Sequence, residues 1–138
     1  RYRGRISGPL LDRIDLHVDV PRLPPAQLRP DAPEGECSAD IRLRVEAARE
    51  RQQHRAGQPN ARIGQAETMA ACRLSDADQQ LLERAIDALQ LSARAMHRIL
   101  RVARTIADLD DSENIATAHL TEALGYRGMD RASQSRAA

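Results

Sequence analysis

The sequence predicts a mainly α fold: a small helical bundle of about four helices, preceded by one orphan β-strand and a flexible linker. Three observations lead there. From residue 38 onward, apolar residues recur at steps of three and four, the period of an amphipathic helix. Ahead of them, only the stretch Ile14 to Val20 alternates apolar and polar residues with the period of a half-buried strand. Between the two lies "PRLPPAQLRPDAPEGE", whose proline, glycine and charge mark a linker.

Each element has its own reason. In the strand, Ile14, Leu16, Val18 and Val20 face one side, and Asp15, His17 and Asp19 the other. A lone strand satisfies neither its backbone nor its apolar face, so its partners are expected in sequence before Arg1. Without that sheet, residues 1–37 are expected to be mobile. Ser38 is placed to cap a first helix with Ile41, Val45 and Ala48 on one face, running to about Arg55 before Gly57 and Pro59 stop it. A short helix is expected from Ala61 to Cys72. Ser75 caps the next, with Asp76 and Asp78 in its first turn and Leu81, Leu82, Ala85, Ile86 and Leu89 behind.

Ser92 then caps a helix in which Ala95, Ile99, Val102, Ile106 and Leu109 form an apolar seam. Asp110 and Asp111 make a turn. Thr117 caps a last helix with Leu120, Ala123 and Leu124 inward and Gly125 as its stop. The polar tail from Gly128 is expected to be disordered. The division that follows is 1–20, 21–37 as linker, 38–127 as helical domain and 128–138 as tail.

The totals narrow the function. A chain of 138 residues accommodates one domain with a real core. A net charge of +1 does not advertise a nucleic-acid binder, so any basic function needs local clustering. Every basic side chain is arginine, whose planar fork suits bidentate contact with phosphate or carboxylate. Tyr2 and Tyr126 are the only aromatics, too few for a base-stacking platform. Cys37 and Cys72 lie far apart with no secretory segment in view, which reads as two free thiols in a reducing cytoplasm. No apolar run approaches the ~20 residues of a membrane span. The chain starts with arginine, and is expected to be a piece of a longer protein.

Catalytic motifs are missing. There is no GxxxxGK[ST] phosphate loop and no HExxH or HxE zinc pattern, and Ser7 sits in "SGP" rather than a nucleophile elbow. His17, His54, His97 and His119 are scattered over separate elements. The chain alone does not read as an enzyme. What stands out is "LSARAMHRILRVART", a helix carrying Arg94, Arg98, Arg101 and Arg104 with no acid until Asp108. Arg94 follows its N-cap within the first turn, where helix N–H groups and the dipole favour an anion. Arg98 and Arg101 share its stripe. They either continue an anion surface or pair with acids of a neighbouring helix, and pairing is the preferred reading.

Together, "SGPLLDRIDLHVDV", "LSARAMHRILRVARTIADL" and "ATAHLTEALGYR" resemble the C-terminal part of the magnesium-chelatase-like AAA+ ATPases, in their YifB/ComM branch. The likeness is strongest over residues 1–20 and 91–127. It implies a ring-forming ATPase, a hexamer of like subunits, that uses ATP and Mg held largely outside this stretch. The helical bundle then corresponds to the AAA+ lid. Arg13, in "LLDR", resembles the arginine finger that reaches the neighbouring subunit's nucleotide. Arg94, in "LSAR", resembles the second sensor, acting on its own subunit's nucleotide or its neighbour's. Phosphoryl transfer asks mainly for positioned positive charge, so arginines suit both roles.

The branch further implies DNA branch migration during recombination of incoming DNA, with DNA gripped by parts outside this chain. Two other readings remain. One is the motor subunit of a magnesium chelatase, inserting metal into a porphyrin. The other is a non-enzymatic helical module that binds DNA or protein through its arginine stripe. The isolated chain, lacking a phosphate loop, is expected to be inactive.

Overall fold

In the computed structural model, Leu10 and residues 13–29, 31–33 and 35–127 are described. Among the described residues of 13–127, five α-helices follow one another: α1 (Ser38–Ala56), α2 (Gln65–Ala71), α3 (Asp76–Leu89), α4 (Ala93–Leu109) and α5 (Thr117–Gly125). Short 3-10 turns occupy Pro25–Leu28 and Asn60–Arg62. The mainly helical expectation holds, with five helices in place of about four, because the short α2 stands by itself.

Helix α4 is the centre of the bundle. It packs against α5, α1, α2 and the Asn60–Arg62 turn, while α3 rests on α5. Its sequence explains this. Ala95, Ala103 and Ala107 are completely buried, and such small side chains let neighbouring backbones come close. Ile99 and Leu100 fill the remaining space with Leu82, Ile115, Leu120 and Ala123. Each large aliphatic group withdrawn from water there contributes about 1.5–3 kcal/mol.

Helix ends follow local chemistry. Ser75 Oγ accepts from the Asp78 amide and Ser92 Oγ from the Ala95 amide, as serine N-caps do. Ser38 and Thr117 do not cap. They are first helical residues, after Cys37 and Ala116. At α5 the Ala116 amide donates to His119 Nδ1 at 3.0 Å, an imidazole in the place that Glu or Gln takes in a capping box. Thr117 is used differently, donating from Oγ1 to Asp78 Oδ1 at 2.6 Å and so tying α5 to the start of α3. Gly57 closes α1 in the left-handed region, with φ 65°. Gly125 is still helical, and Tyr126 follows as the C-cap.

Two expectations need correction. No strand forms among the described residues, 14–20 included, because no described segment offers it a partner. Its faces are also reversed relative to the helical domain. Ile14, Leu16, Val18 and Val20 range from 38% to 83% exposed, while His17 from the polar face is 9% exposed. In α1, Ile41 and Val45 are exposed, and only Ala48 and Gln52 are buried. The expected tail, 128–138, lies outside the described residues, as do Leu11 and Asp12.

Candidate functional site

The four arginines of α4 have four different surroundings. Arg104 is 2% exposed: Nη1 donates to Glu113 O at 2.8 Å, Nη2 to Ser112 O at 2.6 Å, and Nε meets Asp108 Oδ1 at 3.2 Å. It staples the turn after α4. Arg101 donates to Ala61 O at 3.3 Å. Arg98 donates to the carbonyl of Arg13 and pairs with Asp15 Oδ1 at 2.7 Å. Neither Arg98 nor Arg101 takes an acid of a neighbouring helix. Arg94 is exposed and has no hydrogen bond or ion pair among the described residues.

Arg94 borders a cavity of about 280 Å³ shared with Ile63, Gln65, Thr68, Ala93, His97 and Arg101. Two guanidinium groups and no carboxylate line it. His97 Nδ1 is buried there without a partner. Such a lining fits a polyphosphate, with the start of α4 adding its partial positive charge. It does not fit a magnesium ion, which takes oxygen ligands. Among the described residues, no group of three His, Cys, Asp or Glu side chains is placed to hold a metal.

Arg13 sits on the N-terminal segment. Its amide donates to Leu10 O at 3.0 Å in a turn, its side chain is exposed, and its guanidinium has no partner among the described residues. Its backbone carbonyl accepts from Arg98 on α4. Besides Arg98, Arg127 Nη1 donates to Ile14 O at 2.8 Å and the His17 amide to Tyr126 O at 3.0 Å. Arg13 and Arg94 are therefore linked through Arg98, one turn along α4 from Arg94.

Several important polar residues carried no signal that singled them out. Arg127, 1% exposed, is the last residue of "ATAHLTEALGYR" and reads as surface until the N-terminal segment covers it. Asp108, also 1% exposed, is the acceptor of a knot. Arg55 donates to both its oxygens, at 2.8 and 2.6 Å, and Asn60 Nδ2 joins at 2.9 Å. Asn60 also donates to Thr105 Oγ1, and its amide to Gln52 Oε1. The Asp108 hydrogen bonds push the Arg55 pKa up, whereas burial pulls that of Arg104 down. Both guanidinium groups stay charged at neutral pH. Nearby, burial pushes the Cys72 thiol up to about 11, against the partial relief of Arg104 and Arg55. Both cysteines are free thiols, Cys37 exposed and Cys72 buried.

Comparison with known proteins places this geometry. Residues 35–127 match the family described as "Magnesium chelatase, subunit ChlI C-terminal", and residues 1–28 match "Magnesium chelatase, subunit ChlI". The chain is 49% identical over 134 residues to competence protein ComM of Haemophilus influenzae, covering 97% of this chain. It is 47% identical to the YifB protein of Escherichia coli and 46% identical to that of Salmonella typhimurium, each over 95% of this chain. In all three cases it spans 26% of the relative's length. The whole helical domain, from α1 through Arg127, thus lies within one matched region, and the chain belongs to the magnesium chelatase ChlI C-terminal family.

Proposed function

We propose that this chain is the lid and subunit-interface part of a ring-forming AAA+ ATPase that uses ATP and Mg. In this reading residues 38–127 are the lid, 1–20 the end of the ATPase core and 21–37 the joint. The observation that carries it is Arg94. It alone of the α4 arginines is free among the described residues, and it borders a cationic cavity lined for phosphate. Arg94 acts as the second sensor, and Arg13, unpaired on a fixed backbone, as the finger offered to a neighbouring subunit. Arg101 supports the anion surface beside Arg94. The exposed row Ile14, Leu16, Val18 and Val20 packs on the sheet of the core in the longer protein.

Bound ATP supplies the phosphoryl group, and the ion is held by residues outside this cavity. The arginines bind and orient phosphate oxygens and balance the charge that develops on them. We assign the protein's work to DNA branch migration, as the sequence resemblance to the YifB/ComM branch implies. No helix among the described residues is long and apolar enough to cross a membrane, and we place the ring in the cytoplasm. A magnesium chelatase motor would use the same arginines, and DNA dependence of turnover separates the two. In the full-length protein, Arg94→Ala is expected to weaken binding of a fluorescent ATP analogue. Arg13→Ala is expected to leave binding intact and cut turnover by roughly 10³-fold or more. Unchanged binding in Arg94→Ala would remove the sensor from this account.

A further inference from the structure

Helix α4 holds the backbone of Arg13 as well as carrying Arg94. Arg98 donates from Nη1 to the Arg13 carbonyl and pairs with Asp15 Oδ1 at 2.7 Å, with its own side chain 16% exposed. Both contacts fall on Nη1, while Nε of the same group is buried without a hydrogen-bond partner, so this one nitrogen is what anchors the side chain. The carbonyl and the carboxylate therefore fix Arg98, and Arg98 fixes them in turn by charge-assisted bonds. Arg127 on Ile14 O and the His17 amide on Tyr126 O extend the seam on either side of Asp15. The Arg13 guanidinium itself stays exposed and unpaired among the described residues. The arrangement grips the finger's backbone and leaves its charge free.

We propose that Arg98 is a positioning residue for Arg13. It makes the finger segment move as one body with the helix that carries Arg94. Arg94 and Arg98 are four residues apart on one helix, a rise of about 6 Å. A shift of α4 on phosphate contact at Arg94 therefore displaces Arg13 as well. Occupancy of one site in the ring then sets the finger presented to another. Movement through a shared rigid element is the kind of coupling a two-site device requires. The proposal rests on the reading of Arg13 as a finger.

The test uses the full-length protein and three single variants, Arg13→Ala, Arg98→Ala and Asp15→Ala, with the double variant Arg13→Ala/Arg98→Ala. Misplacing a reacting group by about 1 Å costs on the order of 10²-fold in rate, so Arg98→Ala is expected to lose up to that in kcat. Its KM for ATP is expected to stay within about twofold, because Arg98 does not touch the nucleotide. Asp15→Ala, a milder change at an exposed side chain, should shift kcat the same way by less. Arg98→Ala should add nothing in the Arg13→Ala background, since a residue acting through another loses its effect when that other is gone. Hydrogen exchange should quicken in the peptide spanning 13–17 but not in α4.

If Arg13→Ala slows turnover while Arg98→Ala does not, or if the two effects multiply, the positioning role is overturned and the finger stands. If Arg13→Ala itself has no effect, both fall.

Discussion

Asp108 shows how one side chain organises a domain. Buried among Arg104, Arg55 and Asn60, it joins α4 to α1 and to the turn at Asn60. Removing it strands the buried Arg104 charge beside a half-empty knot, the situation that costs about 3–5 kcal/mol. Asp108→Ala is expected to lower stability by that amount in urea denaturation, and a loss below about 1 kcal/mol would dismiss the knot as ornamental. Cys72 gives a second test. Its thiol titrates near 11 when folded, above its ordinary 9.0, so the folded state favours the protonated form. That preference is fully present below pH 9 and is lost as pH rises toward about 11. Stability should therefore fall across that window, and Cys72→Ala should flatten the fall. At pH 8, Cys37 should react with a thiol reagent in the native protein and Cys72 only after unfolding; equal reactivity would contradict the burial.

At the scale of elements, α3, α4 and α5 form a unit whose ends are stitched by short polar side chains. Thr117 and, to a smaller extent, Ser75 donate to Asp78, and these bonds hold its carboxyl below the usual carboxylate range. A depressed carboxylate contributes stability above its unfolded pKa and loses it as pH falls through the folded value. Thr117→Val is expected to cost about 1 kcal/mol at pH 7 and less at pH 3. A pH-independent cost would assign the effect to packing instead.

How much of this was legible in the sequence varied by element. The Ser75 and Ser92 caps were plain, because cap and apolar period agreed in both, with an acidic first turn as well after Ser75. The α1 face was misjudged, since Ile41 and Val45 fit a helical period yet stay 42% and 46% exposed. His119 as a cap of α5 was invisible, because imidazole is an unusual capping acceptor. The arginine stripe could be seen, but not that three members were engaged and one free. That distinction depends on Asp15, Ala61 and the 112–113 turn, residues 8 to 83 positions away from the arginines they meet.

At the scale of the molecule, Arg13 and Arg94 keep their guanidinium groups unpaired among the described residues, while Arg98, Arg101 and Arg104 bond to the segments around α4. The proposed ring is an engine that works only when subunits meet. Residues 1–138 alone are expected to show no ATP turnover above buffer background. Hydrolysis by that piece would place catalytic machinery where no phosphate loop exists. The most direct measurement is ATP turnover by the full-length protein, with and without branched DNA, for wild type and Arg13→Ala. The account predicts turnover that branched DNA stimulates and that collapses in the variant. Turnover indifferent to DNA would contradict the DNA motor, and a variant as fast as wild type would return Arg13 to the surface.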